Sequence, residues 1–77
     1  MLVSVEFMGP MRRPWRERRR DVEAPDAATI SAVIGALGYV AEESRHFSFL
    51  VNGSKAGPDT VLNARDQLAV LLMVGGG

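Results

Sequence analysis

Thr29-Ile30-Ser31-Ala32-Val33-Ile34-Gly35-Ala36-Leu37-Gly38 is the stretch with clear helical periodicity. Ile30, Val33, Ile34 and Leu37 fall at i, i+3, i+4 and i+7, so a helix here carries one apolar stripe. Thr29 is a candidate N-cap, with Asp26 as a second. Gly38 stands where a left-handed residue ends a helix, and Tyr39 can close over it. Gly35 in the interior costs about 1 kcal/mol relative to alanine, so packing must hold the helix. A single striped helix needs one apolar sheet face to cover it.

Working outward, both flanks supply strands. Residues 2–8 alternate, with Val3, Val5 and Phe7 on one side and Leu2, Ser4, Glu6 and Met8 on the other. Gly9-Pro10 breaks that strand and residues 11–15 read as a loop held by Trp15. Residues 16–24 read as a second, more polar strand, suited to a sheet edge where charge discourages pairing. After the helix, residues 40–46 are a polar connection and Phe47–Val51 is a short strand. Asn52-Gly53 signals a hairpin turn. Ser54-Lys55-Ala56 begins a return arm that Gly57-Pro58-Asp59 ends. Leu62 anchors the next loop, Asn63–Asp66 turns the chain, and the last strand starts at Gln67. Leu68, Val70 and Leu72 point one way there; Ala69, Leu71 and Met73 point the other.

The order predicts a two-layer α+β domain: a mixed sheet of four to five strands with one main helix on one face. The first and last strands should lie side by side in parallel. The helix stripe should cover Val3, Val5, Phe7, Leu68 and Val70. Met8, Ala69, Leu71 and Met73 then form an outward apolar set suited to a partner. One domain is expected over residues 1–77, with 75–77 a flexible glycine tail.

Composition narrows the function. The 77 residues are 47% hydrophobic, enough for a small core. There is no cysteine, which excludes disulfides, thiolate metal sites and a cysteine nucleophile and fits a cytoplasmic location. The longest apolar run, residues 68–74, is far below the ~20 residues that span a bilayer. No targeting peptide, membrane association or metal site is expected. Net charge is zero, which argues against nucleic-acid binding. The charge is uneven: Arg12, Arg13, Arg16, Arg18, Arg19 and Arg20 face only Glu17 in their stretch. A solvated edge accounts for most such runs, with Arg12, Arg13 and Arg16 as candidate docking charges. His46, the single histidine, sits in a polar connection and has no setting for catalysis.

The sequence closes on Gly75-Gly76-Gly77 directly after the strand-like run Gln67–Val74. Without Cβ atoms, such an arm fits a channel too narrow for side chains. Three extended residues reach about 10 Å at 3.3–3.6 Å each. The expected chemistry is therefore delivery of the Gly77 carboxylate into another protein's active site.

Taken together, these residues resemble the β-grasp, ubiquitin-like sulfur carriers: the small subunit of molybdopterin synthase and the thiamine-pathway carrier. Val3–Arg12 is similar to the opening strand and loop of the molybdopterin type, Thr29–Gly38 to its helix, Val51-Asn52-Gly53 to its hairpin. Asp66–Val70 with Val74–Gly77 resembles the last strand and tail. Two departures stand out. Arg65-Asp66 replaces the usual Gly-Asp pair, and Leu72-Met73 replaces prolines before the tail. The tail is closer to the thiamine type, the long opening loop to the molybdopterin type.

The resemblance implies that an E1-like enzyme adenylates Gly77 with ATP, and that a sulfur donor then converts it to a thiocarboxylate. Gly75 and Gly76 would thread the partner's active site. Met8, Ala69, Leu71, Met73 and Val74 would contact the partner. The acceptor would be the large molybdopterin synthase subunit or thiazole synthase. The chain itself would bind no cofactor and act as a protein co-substrate, not an enzyme. A protein modifier that joins the same glycine to a lysine, and a binding module with an inert tail, are the other readings.

Overall fold

The structure is a computed structural model that describes residues 1–72. β1 (Leu2–Met8) and β5 (Gln67–Leu72) alternate strictly, burying Val3, Val5 and Phe7 of the first and Leu68 and Val70 of the second. They pair in parallel, with Val5 opposite Leu68 and Met8 opposite Leu71. β2 (Arg19–Glu23) runs antiparallel to β1, β3 (Phe47–Val51) antiparallel to β5, and β4 (Ser54–Ala56) antiparallel to β3. The five-stranded mixed sheet has the order β2-β1-β5-β3-β4, and α1 (Ile30–Ala36) packs on one face. This is the expected β-grasp.

α1 begins where Thr29 Oγ1 accepts a hydrogen bond from Ala32 N–H at 3.1 Å, so Thr29 and not Asp26 is the N-cap. It ends at Gly38, whose φ of +100° suits a residue without Cβ. Gly38 N–H donates to Gly35 O and Tyr39 N–H to Ile34 O, closing the last turn. Ile30, Val33 and Ile34 are buried against the sheet residues named above.

Two expectations shift. The second strand starts at Arg19, not residue 16, because residues 14–18 bend to lay Trp15 against Phe7, with ring centroids 5.5 Å apart. The connection after α1 contains a single-turn helix, α2 (Ala41–Ser44). Its first turn is acidic, and Glu43 Oε1 accepts from Val40 N–H at 3.3 Å. That contact satisfies a donor at the start of the helix.

All five aromatic residues join in one contact chain. Trp15 meets Phe7, Phe7 meets Tyr39 at 5.6 Å, Tyr39 meets Phe47 at 5.3 Å and Phe47 meets Phe49 at 6.4 Å. Three of these pairs are edge-to-face and Phe7–Tyr39 is tilted at 37°; edge-to-face pairs add about 0.5–1.5 kcal/mol each beyond burial. The chain reaches Phe47, which is paired with Leu72 at the end of β5. At the other end of β5, buried Asp66 accepts from Asn63 N–H at 2.8 Å and Asn52 Nδ2 at 3.0 Å. Asn52 Oδ1 in turn accepts from Gln67 N–H at 2.9 Å. The central strand is thus fixed at both ends.

Candidate functional site: the end of β5 and the open sheet face

β5 is the middle strand of the sheet, so the last described residue, Leu72, is held between two neighbours. Phe47 lies opposite it on β3. On the β1 side the chain turns at Gly9, whose φ is +98°. A Cβ placed on Gly9 would come within 2.9 Å of the Leu72 carbonyl oxygen. Only glycine fits there without displacing the strand end. The opening loop therefore closes tightly over the end of β5.

The face opposite α1 carries no described element. Met8 is 39% exposed there, with half-buried Leu71 beside it. One row further down, Ala69 stands between Glu6 on β1 and Leu50 on β3. Met8, Ala69 and Leu71 thus come together as anticipated. Leu50 joins them and was missed by the sequence reading. Its neighbours Phe49 and Val51 drew attention to the core side of β3, and the alternation of that strand was the signal that pointed outward. Beyond this patch the face turns polar: Glu6 Oε1 accepts from Arg19 Nη2 at 3.2 Å, and Ser4, Asp21 and Gln67 follow. Met73, Val74, Gly75, Gly76 and Gly77 lie outside the described residues.

The arginine run divides by role. Arg12 binds Glu43 through Nη2 at 2.9 Å and Nε at 3.3 Å, and its guanidinium lies 4.5 Å from the Tyr39 ring centre. Tyr39 Oη donates to the Arg12 carbonyl. These contacts tie the opening loop to α2 and Tyr39, so Arg12 is a brace for that loop more than a free docking charge. The hydrogen bond from Arg12, helped by Val40 N–H, holds the Glu43 carboxyl below its ordinary range. The same bond raises Arg12. Burial pushes the Tyr39 hydroxyl up. Arg19 is paired with Glu6 and Arg20 with Glu17 at 2.7 Å. Arg13 and Arg16 are exposed and make no ion pair with a described residue.

His46 is exposed and lines a shallow groove with Pro10, Met11, Phe47 and Leu72. Among the described residues no group of three or more His, Asp or Glu side chains gathers as a metal site. No helix among them is long and apolar enough to cross a membrane. What the geometry provides is a rigid strand end, a glycine-tight turn over it and an apolar patch beside it.

The comparisons agree with this layout. The ThiS family profile matches residues 5–77. A comparison with curated protein sequences finds no match. Among solved structures, the crystal structure of SAMP1 from Haloferax volcanii is similar over the full length of both chains, with 21% identity and a TM-score of 0.74. A protein described as subunit 1 of molybdopterin converting factor, from Pyrococcus furiosus, gives a TM-score of 0.74 at 19% identity, covering 95% of this chain and 98% of that one. The complex of subunits 1 and 2 of molybdopterin-converting factor from Helicobacter pylori gives 0.66 at 24% identity over 100% of both chains.

Proposed function

The chain belongs to the ThiS family, and on that premise we propose that it is a sulfur carrier whose Gly77 carboxylate is the reacting group. The observation that carries this reading is the reach of the family match: it runs through the three glycines, which in the sequence stand two residues beyond Leu72, the end of the central strand.

The proposed chemistry balances in two steps. The Gly77 carboxylate oxygen attacks the α-phosphorus of ATP in an E1-like partner and pyrophosphate leaves. A sulfur nucleophile of the sulfide class then attacks the acyl carbon, AMP leaves, and a thiocarboxylate remains. The carboxylate is a poor electrophile until adenylation supplies a leaving group. The carrier contributes delivery and orientation, and the partner's positioning lowers the barrier. The chain is in this reading a protein co-substrate of its partner enzymes.

In this reading the acceptor belongs to molybdopterin synthesis. The similarity to subunit 1 in a complex with subunit 2 supports a large-subunit partner, and the apolar patch on the open face is where this reading seats it. Met8, Leu50, Ala69 and Leu71 would meet it, with Met73 and Val74 flanking the tail and Arg13 and Arg16 steering approach. Thiazole synthase is the alternative acceptor for the same thiocarboxylate. The similarity to SAMP1, which is also described as a small archaeal modifier protein, favours a second reading: the activated glycine forms an isopeptide bond with a lysine of another protein.

The test is the intact mass of the chain after incubation with an E1-like enzyme, ATP and sulfide. Replacement of one oxygen by sulfur, lost when Gly77 is removed, is the expected result. An unchanged mass with several such enzymes would leave a binding module with an inert tail. A glycine remnant on lysines of other proteins would move the reading to the modifier.

A further inference from the structure

β2 is an edge of the sheet, and its hydrogen-bond phase is known. Phe7 N–H donates to Arg18 O at 3.0 Å, and Ala24 N–H donates to Met1 O at 2.8 Å. Bonded pairs recur at every second residue of an antiparallel ladder. With Val3 opposite Val22 and Val5 opposite Arg20, residues 18, 20, 22 and 24 direct their backbone groups at β1. The N–H and C=O groups of Arg19, Asp21 and Glu23 therefore point off the sheet. No other described strand pairs with them. Such a row is a template for an added strand.

On the helix side this edge borders an apolar groove of about 150 Å³ between β2 and α1. Val22 and Val33 line it, together with Ala28, Ala32 and Ala36 at four-residue spacing. Ala32 and Ala36 leave the flank of α1 without bulk, and Ala28 does the same just ahead of it, so side chains from an added strand have room. Charge lies at one end of the edge. Arg18 and Arg20 share the ladder phase of Val22; Arg20 is shared with Glu17, and Arg18 makes no ion pair with a described residue.

We propose that the β2 edge and this groove bind an extended segment of a partner protein, with alternate aliphatic side chains in the groove and carboxylates beyond them against Arg18 and Arg20. Main-chain bonds to Arg19, Asp21 and Glu23 supply affinity, and the groove and arginines supply specificity. A second copy of this chain fits less well. A two-fold antiparallel pairing of β2 with itself must centre on a residue if the free backbone groups are to meet. Centred on residue 19, 20 or 21, it sets Arg19, Arg20 or Asp21 against itself. Centred on 22, it sets Asp21 against Glu23. Like charges directly opposite are destabilising. This binding mode leaves the tail and the open face unoccupied and does not rest on the carrier reading.

The test is a ¹⁵N NMR titration of the full chain with the peptide acetyl-Val-Ile-Val-Ile-Asp-Glu-Glu-amide, beside a control in which lysines replace the acidic residues. The acidic peptide should shift the amides of Arg19, Asp21, Glu23, Ala32 and Ala36 saturably, and the control should bind more weakly. Asp21→Pro removes an N–H that no ladder bond uses. Ala32→Glu puts bulk and negative charge in the groove at an exposed helix position. Each should weaken binding by at least about tenfold. Removal of residues 75–77 should change nothing, which separates this result from any failure of the carrier reading. Shifts on Met8, Leu50 and Leu71 instead, equal binding of the lysine control, or no saturable shift would overturn the proposal. Broadening of the β2 amides with protein concentration alone would also overturn it, in favour of a second copy.

Discussion

The two faces of β1 and β5 are built from alternate residues of the same strands, yet they have different rules. The face under α1 is apolar along its whole length: Val3, Val5 and Phe7 beside Leu68 and Val70, with Val5 and Val70 at 0% exposure. The open face gathers its apolar residues near the end of β5, at Met8, Ala69, Leu71 and Leu50, and becomes polar at Glu6, Ser4 and Asp21, with Leu2 standing apart beyond them. A core must exclude water everywhere, because any gap or orphaned polar group costs stability. A docking face needs apolar contact only where a partner must be held, and here that place adjoins the tail. The difference separates residues that hold the fold from residues free to serve a partner.

The largest expected effect comes from the covered face. Phe7 is 2% exposed and joins Trp15 to Tyr39 in the aromatic chain. Phe7→Ala should cost about 3–5 kcal/mol in urea denaturation, a large part of what a domain of this size has. A cost below about 1 kcal/mol, the range of an exposed substitution, would break the distinction between the faces. Next comes the boundary between them. Gly9→Ala must place a methyl group against the Leu72 carbonyl at a φ of +98°. We expect a cost of about 1–3 kcal/mol, with faster amide exchange at Leu71 and Leu72. A neutral Gly9→Ala would show that the loop does not clamp the strand end.

Most of the fold was legible because its periodicities are clean. The stripe of Ile30, Val33 and Ile34 selected one sheet face, and alternation then assigned β1 and β5 correctly. The parallel pairing of the first and last strands followed from the order of elements. Three features were not legible, each for a physical reason. The aromatic chain joins residues distant in sequence, so no local pattern reveals it. α2 is a single turn stabilised by Glu43 and its contact with Arg12, too short for a periodic signal. Residues 16–18 carry strand-compatible side chains, but packing of Trp15 on Phe7 outweighs that preference and delays β2. The open-face patch was half legible: Met8, Ala69 and Leu71 follow from β1 and β5, whereas Leu50 needs the pairing of β3 with β5. Arg12 could not be told from Arg13 and Arg16 by sequence, because its carboxylate partner is on α2.

The open face should give the inverse of the core result. Leu50→Glu replaces a half-buried apolar residue whose cross-strand neighbour is Lys55. The new carboxylate can pair with that lysine, so the stability cost should stay within about 1 kcal/mol. Capture by the large-subunit partner of the proposed function should nevertheless weaken by at least about tenfold, as expected for a charge placed in an apolar contact. If Leu50→Glu destabilises the fold as much as Phe7→Ala, the open face is structural. If capture is unchanged, the partner seats elsewhere.

The smallest effect tests the brace that holds the opening loop. Glu43 accepts two hydrogen bonds from Arg12 and one from Val40 N–H, and its carboxyl is held below the ordinary glutamate range. A carboxyl with a lower value when folded than when unfolded stabilises the folded state above its unfolded pKa. That contribution fades as pH falls through the folded value. Arg12 stays charged throughout, since its own value is raised. The stability difference between the wild type and Glu43→Gln should therefore be constant above about pH 5–6, beyond the ordinary glutamate range, and shrink in acid. Urea midpoints of both proteins across that span measure it. Because the pair is exposed, added salt should reduce the difference at neutral pH. A difference that grows in acid, or ignores both pH and salt, would mean that Tyr39 and Gly9 hold the loop without help from this ion pair.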